Sequence, residues 1–484
     1  MSFFGETLKS HIENNDVNIY KLARKSGIER TAIHKIMSAG RMPDVEYVQK
    51  LINAMQASPY ERDELWAAYN ISKDGELLYN QRLKVKSLID RMNAAFEIPD
   101  FVSAPPLDVL PQSKAAVQVT HGGLAVNNML DDVLTREVYA DNPQVYFFMP
   151  YDYEFFFDNL FIKYHWNNEF KIKCLFEFSK SGNIHLKQRN ENLDVIGMLL
   201  PFIMRSHGNF DAYYFYSSSP LRDRSVLPMP YYLLTSQCAV TMNAEMQTAI
   251  LYYDSAVTEC YKQIFNNAKT KANPLVSNIT SMLETVNYYG SKTGVTCNGI
   301  SGFGSHPCIT HFLDKDMINA HLSAELPNRD MLVDMTTAVY QHMHETSNNG
   351  ISTSYFTIEG LNIFVERGLI ETLSDRIFLP FTIDERKNIL KRMIIAVETD
   401  SPIYRLINTS KMKTPKCFYV DVFSGSHMNI VVGERTGGEV NTVNISEESI
   451  VESFHDFLIN AMGTDVVYSK EDTLHTLHNS LNKL

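Results

Sequence analysis

Six polar residues near the amino terminus have the chemistry needed to bind a polyanion and to hydrogen-bond the edges of bases. Four of them fall at helical spacing and therefore share one face of a helix, and the other two lie on either side of it. A guanidinium can donate two parallel hydrogen bonds to a guanine, whereas an ammonium group neutralises phosphate as a point charge. We therefore predict a DNA interface formed by Lys21, Arg30, Thr31, His34, Lys35 and Arg41.

Two helices joined by a tight turn must position these side chains, and the segment Val17 to Pro43 has the residues for them. Ala23 is small enough for a second helix to cross closely, and Gly27 can adopt the positive φ of a sharp turn. Ile33 and Ile36, three residues apart, supply the apolar side of the second helix. The pattern predicts a helix-turn-helix whose second helix begins near Glu29 and presents its polar face to the major groove.

The small and apolar positions of this segment, together with the closing AGRMP, resemble the XRE-type family of phage-repressor-like helix-turn-helix domains. The resemblance covers residues 1–72 and implies a five-helix domain that binds double-stranded DNA as a homodimer, with its third helix in the groove. Ile19 departs from the family by replacing a Gln that contacts phosphate, and Glu29 stands where a small capping hydroxyl is common. Both departures affect the expected affinity for DNA more than the expected fold. The alternative is a helix-turn-helix used only for packing or for binding protein.

Composition limits the class of protein. The chain of 484 residues is 44% hydrophobic and 21% charged, which is ordinary for a globular protein of two or three domains. Its formal net charge is −12, yet the segment Lys21 to Arg41 has six basic residues and one acid. This basic stripe would neutralise phosphates. Without a long apolar run or a signal-like amino terminus, we expect a cytoplasmic protein with no membrane partner and, from six scattered cysteines, reduced thiols.

The remainder of the chain has a different pattern. Residues 73–112 are predicted to form a connecting helix, Glu76 to Asn93, followed by a stiff Pro-rich linker. Residues 113–484 alternate short apolar strands with amphipathic helices, which is typical of a large α/β region with a mixed sheet. A similar order of elements at about 140–270 and 355–484 predicts two related lobes. This order faintly resembles phospholipase D-like domains, but their H-x-K-x4-D signature is absent, so no catalytic residue is implied.

Other candidate chemistry is sparse. Two thiols and two imidazoles in one Gly-rich segment could bind zinc, but their spacing fits no common zinc finger, so packed or exposed loop residues are the preferred interpretation. These residues are Cys297, His306, Cys308 and His311. The aromatic runs YFFMPYDYEFFF and DAYYFY could line a pocket for a flat ligand, although core packing is the commoner role. We predict no metal, no cofactor and no catalytic constellation.

These observations favour a one-component transcriptional regulator. A small all-α domain would bind a palindromic operator as a homodimer, and the large α/β region would sense a small-molecule effector or mediate assembly. One alternative is an enzyme or defence effector whose helix-turn-helix domain is autoregulatory. Another is a structural interaction protein without affinity for DNA.

Overall fold

The computed structural model describes residues 2–38, 42–97, 115–167, 169–179, 186–205, 209–217, 227–279, 282–292, 297–373, 376–433 and 441–484. Two predictions fall outside these ranges. They are the position of Arg41 and the Pro-rich linker that follows the connecting helix.

The amino-terminal region is helical, as predicted. Its five helices are α1 (Phe3–Asn14), α2 (Ile19–Ser26), α3 (Arg30–Met37), α4 (Val45–Met55) and α5 (Pro59–Asp74). Their inward faces share one small apolar core, which includes Leu8, Leu22, Ile33, Leu51 and Leu65. A capping box starts α5, because the Ser58 hydroxyl accepts from the Glu61 amide while the Glu61 carboxylate accepts from the Ser58 amide.

Helix α6 (Glu76–Glu97) connects this region to the rest of the chain. Val85, Leu88 and Met92 are buried in the main core of the protein, where α6 packs on a helix of the α/β region, α9 (Leu186–Arg205). The connecting helix therefore packs within its own chain along this face. It also extends beyond the predicted end at Asn93.

The first sheet of the α/β region has eight strands in the order β1-β7-β6-β5-β2-β3-β4-β8. The three neighbours β2, β3 and β4 are parallel, and the other pairings are antiparallel. Helices α7 (Gly123–Val138), α8 (Glu154–Trp166), α9 and α10 (Ser255–Lys269) connect or follow these strands. The strands are β1 (Val117–His121), β2 (Gln144–Phe148), β3 (Lys171–Ser179), β4 (Phe210–Ser217), β5 (Tyr231–Leu234), β6 (Ala239–Met242), β7 (Thr248–Tyr252) and β8 (Asn273–Pro274).

The second sheet has seven strands in the order β12-β11-β10-β13-β14-β15-β9. They are β9 (Ser277–Ile279), β10 (Ile300–Gly304), β11 (Thr353–Phe356), β12 (Ile403–Leu406), β13 (Phe418–Phe423), β14 (His427–Val432) and β15 (Asn441–Ile445). The α-helices of this half are α11 (Met282–Lys292), α12 (Lys315–His321), α13 (Arg329–Asn348), α14 (Ile358–Arg367), α15 (Ile383–Thr399), α16 (Glu448–Asn460) and α17 (Lys470–Asn482).

The two sheets repeat one topology. Apart from the additional β8, the first sheet runs β4-β3-β2-β5-β6-β7-β1, and the second has the corresponding strands in the same order. Both have three parallel strands followed by antiparallel ones. The α/β region therefore consists of two related lobes, as predicted.

The extent of the lobes differs from the prediction of 140–270 and 355–484. The first sheet spans Val117–Pro274, and the second spans Ser277–Ile445. The Gly-rich segment around Gly302, predicted to be a loop, instead contributes β10, an interior strand of the second sheet. Glycine normally marks a break in a strand, but here Gly302 gives room to the ring of Tyr419 on the neighbouring strand β13.

Helix α16 lies between the second sheet and the helices of the amino-terminal half, with contacts to α6, α9, β10, β13 and β14. Its residues Ile450, Phe454 and Leu458 are buried in the main core. On its other side, Asp456 accepts a hydrogen bond of 2.7 Å from Arg82 of α6, and Arg82 also binds Asp74 at the end of α5. The helix-turn-helix region is thus tied to the second lobe.

Candidate functional site

The predicted interface lies on α3. Arg30, Thr31, His34 and Lys35 are exposed even though the whole described chain is present, while Ile33 and Ile36 are buried against the other helices. The α/β region therefore leaves this face open. In the predicted DNA interface α3 would be the recognition helix, and we use that name for it.

The turn before the recognition helix has the predicted geometry. Gly27 ends α2 with φ 68°, in the left-handed region, and Asn18 begins α2 by accepting hydrogen bonds from the amides of Tyr20 and Lys21. Glu29 is the N-cap residue of α3 but makes no capping bond with its side chain. Its carboxylate instead accepts a hydrogen bond of 3.3 Å from the Thr31 hydroxyl, so this negative charge lies beside a predicted base contact.

Arg30 and His34 interact along the recognition helix. Arg30 Nε donates to His34 Nε2 at 3.4 Å, which requires His34 to accept at that nitrogen. The terminal nitrogens of the guanidinium make no hydrogen bond to any residue that the structure describes. The group is therefore available for a bidentate contact with a partner outside the chain.

The described cations of the basic stripe also lack ion-pair partners among the described residues. Lys21, Arg24, Lys25, Arg30 and Lys35 are exposed and form no ion pair with the described residues. By contrast, Lys9 of α1 lies 3.7 Å from Glu13, and Lys50 of α4 lies 3.9 Å from Glu46. The unpaired cations of this region are concentrated around the helix-turn-helix.

Tyr20 is a candidate that the sequence reasoning missed. Its side chain is 70% exposed in the first turn of α2, next to Ile19, which packs partly against the small core. The aromatic residue two positions after the N-cap Asn18 was the available signal. A tyrosine hydroxyl at this point can donate to phosphate, a role that Ile19 cannot fill.

A second candidate site is a cavity of about 150 Å³ in the second lobe. It lies between α11, α13, the segment after β10 and the face of the sheet that carries Tyr419 and Asp421. Most of its lining is apolar, and polar groups come from the helices, the sheet and the segment after β10. Such a cavity with a few convergent polar groups is typical of a small-molecule site.

Asp421 is the most unusual group in this cavity. Asp421 is buried, with 8% of the residue's surface exposed, and burial raises the pKa of its carboxyl group to about 7, although a hydrogen bond from Tyr289 opposes the shift. That bond is long, at 3.5 Å. Burial also lowers the pKa of His306 to about 4 and raises that of Cys308 to about 11, so both are neutral near pH 7.

The thiol and imidazole of this cavity do not form a nucleophile–base pair. His306 Nε2 lies 2.8 Å from the Thr372 hydroxyl and its Nδ1 lies 3.1 Å from the carbonyl of Pro307, while Cys308 Sγ lies 3.1 Å from the Thr310 hydroxyl. Each group is therefore bonded elsewhere, whereas nucleophilic catalysis needs direct contact between them.

The four residues considered for zinc are not brought together as a metal site. Cys297 packs in an apolar cluster with Ile300, Val339 and Phe423. Within the described ranges, no group of three or more His, Cys, Asp or Glu residues could hold a metal ion. From the aromatic runs, Phe147, Phe156 and Phe157 are buried in the main core.

No family model matches this chain, and no curated protein matches it in sequence. Among solved structures, it is similar to TrmBL2, an archaeal chromatin protein, at 12% sequence identity and a TM-score of 0.24, covering 51% of this chain and 84% of that one. It is also similar to phosphatidylserine synthase from Haemophilus influenzae Rd KW20, at 8% identity and a TM-score of 0.25, covering 76% and 92%. Likenesses this weak carry no argument about function.

In the part of the chain that the structure describes, no helix is long and apolar enough to cross a bilayer.

Proposed function

We propose that this protein is a sequence-specific DNA-binding regulator of the one-component type. The observation that supports this most directly is the open face of the recognition helix, where Arg30 and Lys35 are exposed without ion-pair partners. A helix packed only for structure would gain nothing from a concentrated positive charge. A helix that approaches phosphate gains affinity from it.

The residues of the interface divide into two roles. Arg30 and Thr31, in the first turn of the recognition helix, contact base edges in the major groove, and His34 lies one turn further along the same face. Lys21, Lys35 and Arg41 contact phosphates, and Tyr20 adds a hydroxyl donor at the start of α2. The first group selects sequence, and the second positions the protein.

The direct test is capture of fragmented genomic DNA by the purified full chain, followed by sequencing. We expect enrichment of a small set of fragments that share a palindromic motif, and loss of that enrichment in Arg30→Ala. The matched control is Lys391→Ala, which removes one exposed cation from the second lobe. Wild-type capture of all fragments in proportion to their abundance would contradict sequence-specific binding.

Assembly as a homodimer is part of the proposal. A single recognition helix contacts few base pairs, so useful specificity needs two half-sites about one helical turn, roughly 34 Å, apart. We expect sedimentation equilibrium of the full chain to give twice the mass of 55.3 kDa at micromolar concentration. A strictly monomeric protein, both with and without operator DNA, would contradict this prediction.

The α/β region is proposed to bind an effector without converting it. This proposal rests on the separate hydrogen bonds of His306 and Cys308, which leave the cavity without an activated nucleophile. The competing possibility is an enzyme with an autoregulatory helix-turn-helix, since the cavity does contain a buried acid. Recovery of a bound ligand chemically unchanged after long incubation supports the binding role, and a new product overturns it.

A further inference from the structure

We propose that the cavity of the second lobe binds a small organic cation, an amine with a compact apolar body, and that Asp421 is its counter-ion. The binding site is inferred from the cavity itself. Its role as the effector site rests on the proposed function.

The first argument is that Asp421 is poorly satisfied. Two other buried carboxylates each have several donors: Glu137 accepts from the Gln144 amide and from the amide and hydroxyl of Ser236, and Glu447 accepts from Ile450, Ser449 and Tyr216. Asp421 has the single long bond from Tyr289. A buried carboxylate without a partner is costly, so a positively charged ligand would be strongly favoured there.

The second argument is that the described lining of the cavity contains no cationic side chain. Among the described residues that line the cavity there is no lysine and no arginine. When Asp421 is ionised, no described lining residue can compensate its charge, and a cationic ligand can.

The third argument concerns the walls. Tyr289, Tyr340 and Tyr419 line the cavity, and the ring of His306 stacks on that of Tyr419 with centroids 5.1 Å apart. Aromatic faces attract organic cations, most strongly when water is excluded. The apolar side chains of Val286, Ile309, Leu322, Val339, Met343 and Phe378 complete the walls and suit the hydrocarbon part of the ligand.

Two threonine hydroxyl groups in the cavity are available for hydrogen bonds with a ligand. Thr336 and Thr442 line the cavity, both are buried, and neither hydroxyl oxygen has a hydrogen-bond partner in the described structure. Native proteins rarely leave such groups unpaired. These hydroxyls can accept hydrogen bonds from ammonium N–H groups, which a neutral hydrocarbon could not provide.

The size of the cavity limits the ligand. A cavity of about 150 Å³ is comparable to an engineered cavity that holds one benzene molecule. The apolar body is therefore one ring or a short branched chain. Benzylamine is a suitable probe, with neutral benzyl alcohol and anionic benzoate as matched controls.

Charge pairing also predicts the effect of pH. The titratable groups that face Asp421 are Tyr289 on α11, Tyr340 on α13, Tyr419 on β13, and Cys308, His306 and His311 after β10. Burial raises the pKa of the phenols and the thiol and lowers that of both histidines to about 4, so these groups stay neutral from pH 5.5 to 8. Only Asp421 changes charge in this window, and it becomes negative as the pH rises.

The experiment is isothermal titration calorimetry of the full chain with benzylamine at pH 5.5 and 8. We expect 1:1 binding at pH 8 and about 30-fold weaker binding at pH 5.5, the change in the ionised fraction of an acid of pKa about 7. Benzyl alcohol and benzoate should bind at least about tenfold more weakly at pH 8, a loss equal to one charge-assisted contact.

Variants identify the counter-ion. Asp421→Asn should lose the preference for benzylamine over benzyl alcohol, whereas Asp316→Asn, at an exposed carboxylate of α12, should keep it. Thermal unfolding at pH 8 should show Asp421→Asn to be at least as stable as wild type, because it removes a buried charge. Absence of benzylamine binding to the wild type, or equal affinity for benzyl alcohol, would overturn the site.

The effector role is measured separately. Operator affinity that changes with benzylamine in the wild type but not in Asp421→Asn supports it, and unchanged operator affinity overturns it. Failure of DNA binding altogether contradicts the proposed function and leaves the calorimetric result for the cation intact.

Discussion

Arg30→Ala is expected to weaken binding to the operator by about tenfold to one-hundredfold and to relax the preference at one base pair. The reason is geometric, because the Arg30 guanidinium is exposed in the first turn of α3 and its terminal nitrogens are unbonded within the described chain. Loss of a bidentate contact removes about 1–3 kcal/mol of discrimination. Fluorescence anisotropy with operator and scrambled duplexes, over a range of salt concentrations, measures both quantities.

Lys35→Ala serves as the comparison. As a phosphate contact, Lys35 should contribute about equally to operator and scrambled DNA, so its removal should lower the salt slope by about one unit without changing the sequence preference. Lys391→Ala, on the second lobe, should change neither. If Arg30→Ala reduced the affinity for both duplexes equally, Arg30 would be a phosphate contact and the proposed placement of α3 in the groove would be wrong.

Gly360→Ala is expected to have the largest effect on stability. Gly360 lies in the first turn of α14, where an added Cβ would be 1.8 Å from the carbonyl oxygen of Ser305. That carbonyl is held by the Thr357 hydroxyl, and the Ser305 amide is bonded to Phe418 of β13, so the backbone has little room to yield. We expect a loss of about 3 kcal/mol or more in the free energy of unfolding, measured by urea titration with circular dichroism.

Gly290→Ala is the matched control. Gly290 lies within α11, and outside that helix no atom of the described residues lies within 4 Å of the position its Cβ would take. The same chemical change should therefore stabilise the protein by about 0.5–1 kcal/mol, because alanine loses less backbone entropy than glycine in a helix. A Gly360→Ala protein that unfolded at the wild-type urea concentration would show that α14 does not approach Ser305 so closely.

Local patterns in the sequence were sufficient to predict many of the helices and strands. The short apolar run Ala239–Met242, which lies between turn residues, predicts a strand with the limits that β6 has. Apolar periodicity predicts α9 only from Leu193, whereas the helix begins at Leu186. Its first turns are polar, so apolar periodicity could not locate their start. Strand β10 was missed because its glycines are explained only by the neighbouring Tyr419.

The two candidate sites also differ in how far they could be predicted from the sequence. The predicted DNA interface on α3 lies within one short segment, so helical spacing was enough to group Arg30, Thr31, His34 and Lys35. The cavity is formed by residues that are distant in sequence: Asp421 lies opposite Tyr289 of α11, more than a hundred positions earlier. In the sequence, Asp421 is a single acid within an apolar strand. Only the pairing of β13 with its neighbours and the packing of α11 and α13 show what surrounds it.

Ion pairs connect the helix-turn-helix region to the second lobe, and along the length of α6 a small tilt becomes a larger displacement. Arg82 joins α6 to both Asp74 and Asp456, and Lys411 joins Asp63 of α5 to Asp465 beyond α16, at 2.8 and 3.0 Å. Helix α6 has 22 residues and is about 33 Å long, so a tilt of a few degrees at one end displaces the other by a few ångströms. If the protein binds DNA as the proposed dimer, such displacements occur twice and in opposite senses, which changes the span between the two recognition helices.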